Sequence, residues 1–114
     1  MKVVYVAGPF TAPTAWGIEQ NVRVAEEAGL RVAEMGASAL VPHTMGRHLV
    51  GTITPAYWYE ATLALMLKCD AVLTVDAWGS SNGATNEVLV AREKGIPVFE
   101  WFAELALWLT KGAA

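Results

Sequence analysis

Cysteine is almost missing from this sequence: Cys69 stands alone, so no internal disulfide can form. Histidine is scarce too. His43 and His48, five apart and without a cysteine pair, leave no standard zinc spacing, and no metal site is expected. Charge is sparse, with only 17% of the 114 residues charged. The eight basic residues are scattered and eleven acidic ones outnumber them, for a net charge of -3. A grip on phosphate backbones needs clustered cations, so nucleic acid is not an expected partner. Long apolar runs are missing as well. Val3 to Ala7 and Leu105 to Leu109 fall far short of the ~20 residues that span a bilayer, and no membrane association is expected. Gly8-Pro9 interrupts the apolar stretch after Lys2, which leaves no secretory segment and makes a cytoplasmic location the expectation. Repeats, low-complexity tracts and linkers are absent.

What is present is apolar residue, 54% of the chain, enough for one core and too little length for two. A single domain over 1–114 is expected. Five Trp, three Tyr and three Phe are more aromatic surface than so small a domain can hide. A homo-oligomer, a dimer or larger, is therefore expected to cover part of it.

The apolar pattern alternates between strand-like runs and helical spacing. Lys2 to Ala7 reads as a strand buried on both faces, Gly17 to Met35 as an amphipathic helix, and Ser38 to Val41 as a second strand. Residues 43–54 form a loop without a clear period. Pro55, capped by Thr54, opens a helix to about Lys68. Ala71 to Val75 is a third strand, 84–94 a helix stopped by Gly95, Ile96 to Phe99 a fourth strand, and Trp101 to Lys111 a last helix. This order implies an α/β fold: a Rossmann-like (flavodoxin-like) three-layer sandwich around a mostly parallel sheet of about four or five strands. Ligands of such sheets bind beyond the carboxyl ends of the strands. The segments Gly8 to Pro13, Pro42 to Thr54 and Asp76 to Glu87 should meet there.

The segment Asp76 to Glu87 leaves a strand, passes Trp78, Ser80, Ser81, Asn82 and Gly83, and enters a helix. It offers either an anion cradle of free N–H groups and hydroxyls or an ordinary capped loop. It is neither a Walker loop nor a dinucleotide fingerprint, and no cofactor is implied. Glu87 is expected in the first helical turn, where the dipole favours an ionised carboxylate. Tyr5 reads as core or as a site residue. Gly8-Pro9 either admits a ligand close to the backbone or turns the chain. Asp76, at a carboxyl end, is a candidate acid; Asp70, at the amino end, is a cap. Cys69 reads as buried and inert.

Tyr5-Val-Ala-Gly-Pro9, Cys69-Asp-Ala-Val72, Trp78-Gly-Ser-Ser-Asn-Gly-Ala-Thr-Asn-Glu87 and Gly95-Ile-Pro-Val98 occur in that order. Together they resemble the nucleoside 2-deoxyribosyltransferase superfamily, and within it the small DUF4406-like proteins and the 2'-deoxynucleoside 5'-phosphate N-hydrolases. The resemblance runs from 3 to 99. It implies cleavage at an N-glycosidic bond, with Glu87 as nucleophile and Tyr5 holding it. It implies that Ser81 contacts a 5'-phosphate, as in the hydrolases, and that Gly8, Pro9 and Phe10 wall the sugar and base. The expected partner is thus a small nucleoside or nucleotide. Two positions depart from the pattern. Thr62 stands where the family usually has aspartate, leaving Asp76 or His43 as acids for the departing base. Pro9 stands where the hydrolases favour a hydroxyl. The leading reading is an enzyme, an N-glycosidase or deoxyribosyltransferase; its rival is a non-catalytic nucleotide-binding module of the same fold.

Overall fold

In a computed structural model that describes residues 1–112, strands and helices alternate as their apolar spacing implies. The last two residues of the expected domain, 113–114, lie outside the described residues. The elements are β1 (Val3–Ala7), α1 (Ala15–Glu34), β2 (Ser38–Leu40), α2 (Pro42–Gly46), α3 (Pro55–Met66), β3 (Ala71–Thr74), α4 (Asn82–Glu93), β4 (Val98–Phe99) and α5 (Phe102–Gly112). A 3-10 turn at Trp78–Ser80 precedes α4.

The sheet order is β2-β1-β3-β4, and every pairing is parallel. Tyr5 lies between Leu40 and Val72, at the centre of the sheet. This is the flavodoxin-like order as far as its fourth strand, with the chain reversing direction across the sheet between β1 and β3. Side chains alternate between two cores, as a pleated strand requires. Val4 and Val6 of β1, with Ala71 and Leu73 of β3, pack against Ala25, Ala28, Val32 and Leu105 from α1 and α5. Tyr5 and Ala7, with Val72, face Met66 and Ala91 from α3 and α4. The three-layer α/β sandwich read from the sequence is present.

Helix starts are chemically marked. Thr14 Oγ1 accepts from Gly17 N at 3.0 Å, Thr54 Oγ1 from Tyr57 N at 3.2 Å, and Ser81 Oγ from Ala84 N at 3.1 Å. Each satisfies one donor that the first turn would leave unpaired. Gly95, at φ +76°, ends α4 in the left-handed region.

Four elements depart from expectation: α1 begins two residues early at Ala15, β4 begins two residues late at Val98, and α2 and α4 differ as well. The loop 43–54 contains α2, a five-residue helix opened by Pro42, too short to show a helical period. Helix α4 begins at Asn82, because Ser81 caps it, two residues before the expected start. Glu87 accordingly lies in the second turn, beyond the strongest reach of the helix dipole.

Helix α3 has one charged residue, Glu60, yet among its residues only Met66 is buried. Tyr57 and Tyr59 on α3 are exposed, as are Trp16 and Trp101 elsewhere. The aromatic excess lies substantially on the surface. Among the described residues, no helix is long and apolar enough to cross a membrane.

Leu73, 1% exposed on the central strand β3, sets a test of this packing. Leu73→Ala should cost about 2–5 kcal/mol, read as a lowered urea midpoint with an unchanged denaturant slope.

Candidate functional site

The α4 helix presents Ala84, Glu87, Val88 and Ala91 on one buried stripe, at spacings of three and four. A carboxylate thus occupies a position that helical geometry turns toward the sheet. Opposite it, β1 directs Tyr5 to the same layer. The Tyr5 hydroxyl donates to Glu87 Oε2, a buried bond between residues 82 apart in sequence.

Burial shapes both groups. Loss of water raises the Glu87 carboxyl above its ordinary 4.5, and the bond from Tyr5 pulls it partly back. Glu87, expected in the first turn, lies in the second, and burial is the largest influence on its carboxyl. Tyr5 is pushed far above the ordinary phenol range, first by burial, then by the Glu87 charge and hydrogen bond. The phenol therefore stays protonated and acts as donor. Thr62 on α3 adjoins Tyr5, and its hydroxyl opposes that rise.

These groups face a cavity of about 660 Å³ at the switch point of the sheet, a size suited to a small ligand. All three expected segments contribute to it. Tyr5, Gly8, Pro9, Phe10, His43, Ser80, Ser81, Asn82, Gly83 and Glu87 line it. A Cβ on Gly8 would lie 2.2 Å from Val75 Cγ2, so the strand end can approach β3 only without a side chain. Asn21 Nδ2 donates to the Phe10 carbonyl at 3.0 Å and tethers the loop that follows β1.

His43 is 4% exposed rather than set in an open loop. Its Nε2 lies 3.0 Å from the Gly8 carbonyl and 3.1 Å from that of Pro9. Two carbonyl acceptors require the proton on Nε2. Burial lowers the His43 pKa, against the pull of those carbonyls, and keeps the ring neutral. The side chain braces α2 against the β1 loop. Arg47, just past α2, pairs with Glu19 and Glu26 and ties the same segment to α1.

Asp76 and Trp78 do not line the cavity. Asp76 is exposed, and Trp78 Nε1 donates to Glu100 Oε1 at 3.2 Å, beside β4. Ala77, between Asp76 and Trp78, adopts the left-handed region at φ 65°. Asp70 caps β1, its Oδ2 accepting from Val3 N at 2.8 Å.

Sequence reasoning missed the wall formed by Trp58, Tyr59, Val50 and Ile53. The adjacent rings on α3 were a signal of surface association, and only their placement over the sheet end puts two of them at the cavity. Among the described residues, no three His, Cys, Asp or Glu side chains gather to hold a metal ion.

The family model described as a domain of unknown function, DUF4406, matches residues 2–100. No curated protein matches the chain. A solved structure of a 2-deoxyribosyltransferase from the psychrotolerant bacterium Bacillus psychrosaccharolyticus is similar, at a TM-score of 0.64 and 17% identity. The likeness covers 84% of this chain and 69% of that one, and it is a likeness of fold.

The raised Glu87 pKa has a sign that unfolding can read. Between 4.5, the ordinary value, and the raised one, the folded state binds more protons than the unfolded state. Stability from this group is therefore greatest at low pH and falls as pH rises through that window. Glu87→Gln should remove that fall, so its stability relative to the parent should increase with pH above about 4.5 in urea titrations.

Proposed function

The chain belongs to the DUF4406 family, and from that premise we propose an enzyme that cleaves or transfers at the N-glycosidic bond of a nucleoside 5'-monophosphate. The carrying observation is the Glu87 carboxylate, buried at the cavity wall and held by the Tyr5 hydroxyl. Likeness of fold to a 2-deoxyribosyltransferase supports the same reaction class. One domain, 1–114, would supply these groups without a cofactor.

In the proposed mechanism Glu87 attacks the anomeric carbon of the sugar as the bond to the base breaks. A glycosyl ester forms on Glu87, and water or a second base then attacks the same carbon, with net retention. Tyr5 aims the carboxylate and stabilises its ionised form while it waits. The 5'-phosphate would meet the unpaired N–H groups in the first turn of α4, beside Ser80, Ser81, Asn82 and Gly83. Gly8, Pro9 and Phe10 would wall the sugar and base.

A second reading is a nucleotide-binding module of the same fold without turnover. Its support is the raised Glu87 pKa, since burial opposes the ionised form that a nucleophile needs. Release of base from a panel of nucleoside and deoxynucleoside monophosphates, followed by chromatography, separates the two. On the enzyme reading, Glu87→Gln should lower release by about a thousandfold or more, with the fold intact by circular dichroism. Undiminished release would remove Glu87 from the mechanism.

Ser81→Asp should retain the helix cap, because aspartate caps as well as serine. It would place a carboxylate beside the phosphate. Binding of a monophosphate should weaken by at least about fivefold more than binding of its nucleoside, corresponding to ~1 kcal/mol of like-charge repulsion. Equal effects in calorimetric titrations would place the phosphate elsewhere.

We further propose a homodimer that packs α3 against its own copy. The support is a helix with one charge and exposed Tyr57 and Tyr59. Light scattering at micromolar concentration should give twice the chain mass of 12.2 kDa; the single mass would refute it.

A further inference from the structure

The cavity holds a candidate nucleophile and no second carboxyl group to act as its acid. Among the described residues lining it, Glu87 is the one carboxylate, and no lysine or arginine is present. Asp76 lies outside, and so does Glu60. His43 has its single ring proton on Nε2, committed to the Gly8 and Pro9 carbonyls, while Nδ1 is buried and bears none. The Tyr5 hydroxyl is committed to its hydrogen bond to Glu87. Thr11, Thr62, Ser80 and Ser81 offer aliphatic hydroxyls, which are too weakly acidic to protonate a departing ring, and Tyr59 adds one phenol on the solvent-exposed wall, 37% exposed.

A neutral purine or pyrimidine that leaves a sugar carries away the bonding electron pair and becomes an anion unless a proton reaches it. A ring already cationic leaves as a neutral molecule. We propose that the substrate's base is a cationic heteroaromatic ring, an N-glycosyl pyridinium or an N7-alkylated purine, whose departure needs no proton. This rests on the glycosidase reading of the same site and narrows its substrate class. One negative group among aromatic walls fits such a ring: Phe10, Trp58 and Tyr59 line the cavity, and aromatic faces attract cations.

The step balances without an added reactant. A Glu87 oxygen forms the bond to the anomeric carbon, the carbon–nitrogen bond breaks, and its electron pair neutralises the ring. Water then adds to the anomeric carbon, the ester bond returns its pair to Glu87, and the proton of the added water passes to solvent.

A matched pair tests this on the full chain. 7-Methylguanosine 5'-monophosphate and guanosine 5'-monophosphate differ by one methyl group and one charge, and nicotinamide mononucleotide supplies the pyridinium. Base release is followed by chromatography, with the enzyme-free rate subtracted and Glu87→Gln as control. A positioned acid contributes about a hundredfold or more to such departures, so its absence should appear as at least a hundredfold faster release from the cationic pair. A smaller ratio, with release lost in Glu87→Gln, would overturn the cationic-base inference and leave the glycosidase reading standing. No release from any of the three would overturn the cationic-base inference, while the glycosidase reading falls only if the deoxynucleoside monophosphates also release no base.

Discussion

The hydrogen bond from Tyr5 to Glu87 is the constraint around which the rest of the molecule is arranged. A carboxylate 9% exposed in an otherwise apolar layer has lost most of its water, and an unmatched one would be costly. The phenol answers that cost with a charge-assisted bond, and burial in turn fixes the phenol as donor. To make the bond, β1 must lie at the sheet centre with Tyr5 on the α3–α4 face. Helix α4 must also begin where Ser81 caps it, so that Glu87 falls on the stripe of Ala84, Val88 and Ala91.

The surroundings serve the same geometry. Gly8 lets the end of β1 close upon Val75, which brings the following loop over the sheet end. His43 and Asn21 then bond the carbonyls of that loop, from α2 and α1 respectively. Arg47 joins the α2 segment to two α1 carboxylates. The cavity is thus framed by polar bonds to loop backbone while its walls remain apolar and aromatic. Such a site can hold a flat ring and a single anionic group close together, which is the physical basis of the proposed chemistry.

Much of the fold was legible because its causes are local. Apolar runs bounded by Gly-Pro, Gly and Pro, with a hydroxyl cap at Thr54, describe strands and helices without reference to distant residues. The short helix α2 was not legible, since five residues hold little more than one period. The start of α4 was placed at 84 rather than 82, because Asn82 and Gly83 are weak helix formers, and only the cap from Ser81 to Ala84 N shows that the helix includes them. The stripe Ala84, Glu87, Val88, Ala91 was open to reading in advance. A carboxylate within an apolar helical face is a signal of a matched partner.

By itself the sequence determined the βα alternation, the parallel sheet, the family resemblance and the three segments that meet beyond its strands. Periodicity and capping are properties of neighbouring residues, and the motif order needs no coordinates. The tertiary structure alone decided that Glu87 is desolvated and held by Tyr5, and that His43 is a neutral brace. It also decided that Asp76 and Trp78 turn away, and that Trp58 and Tyr59 wall the cavity. Each of those outcomes depends on which surfaces lose water and on how distant elements pack, and neither is written in the spacing of residues.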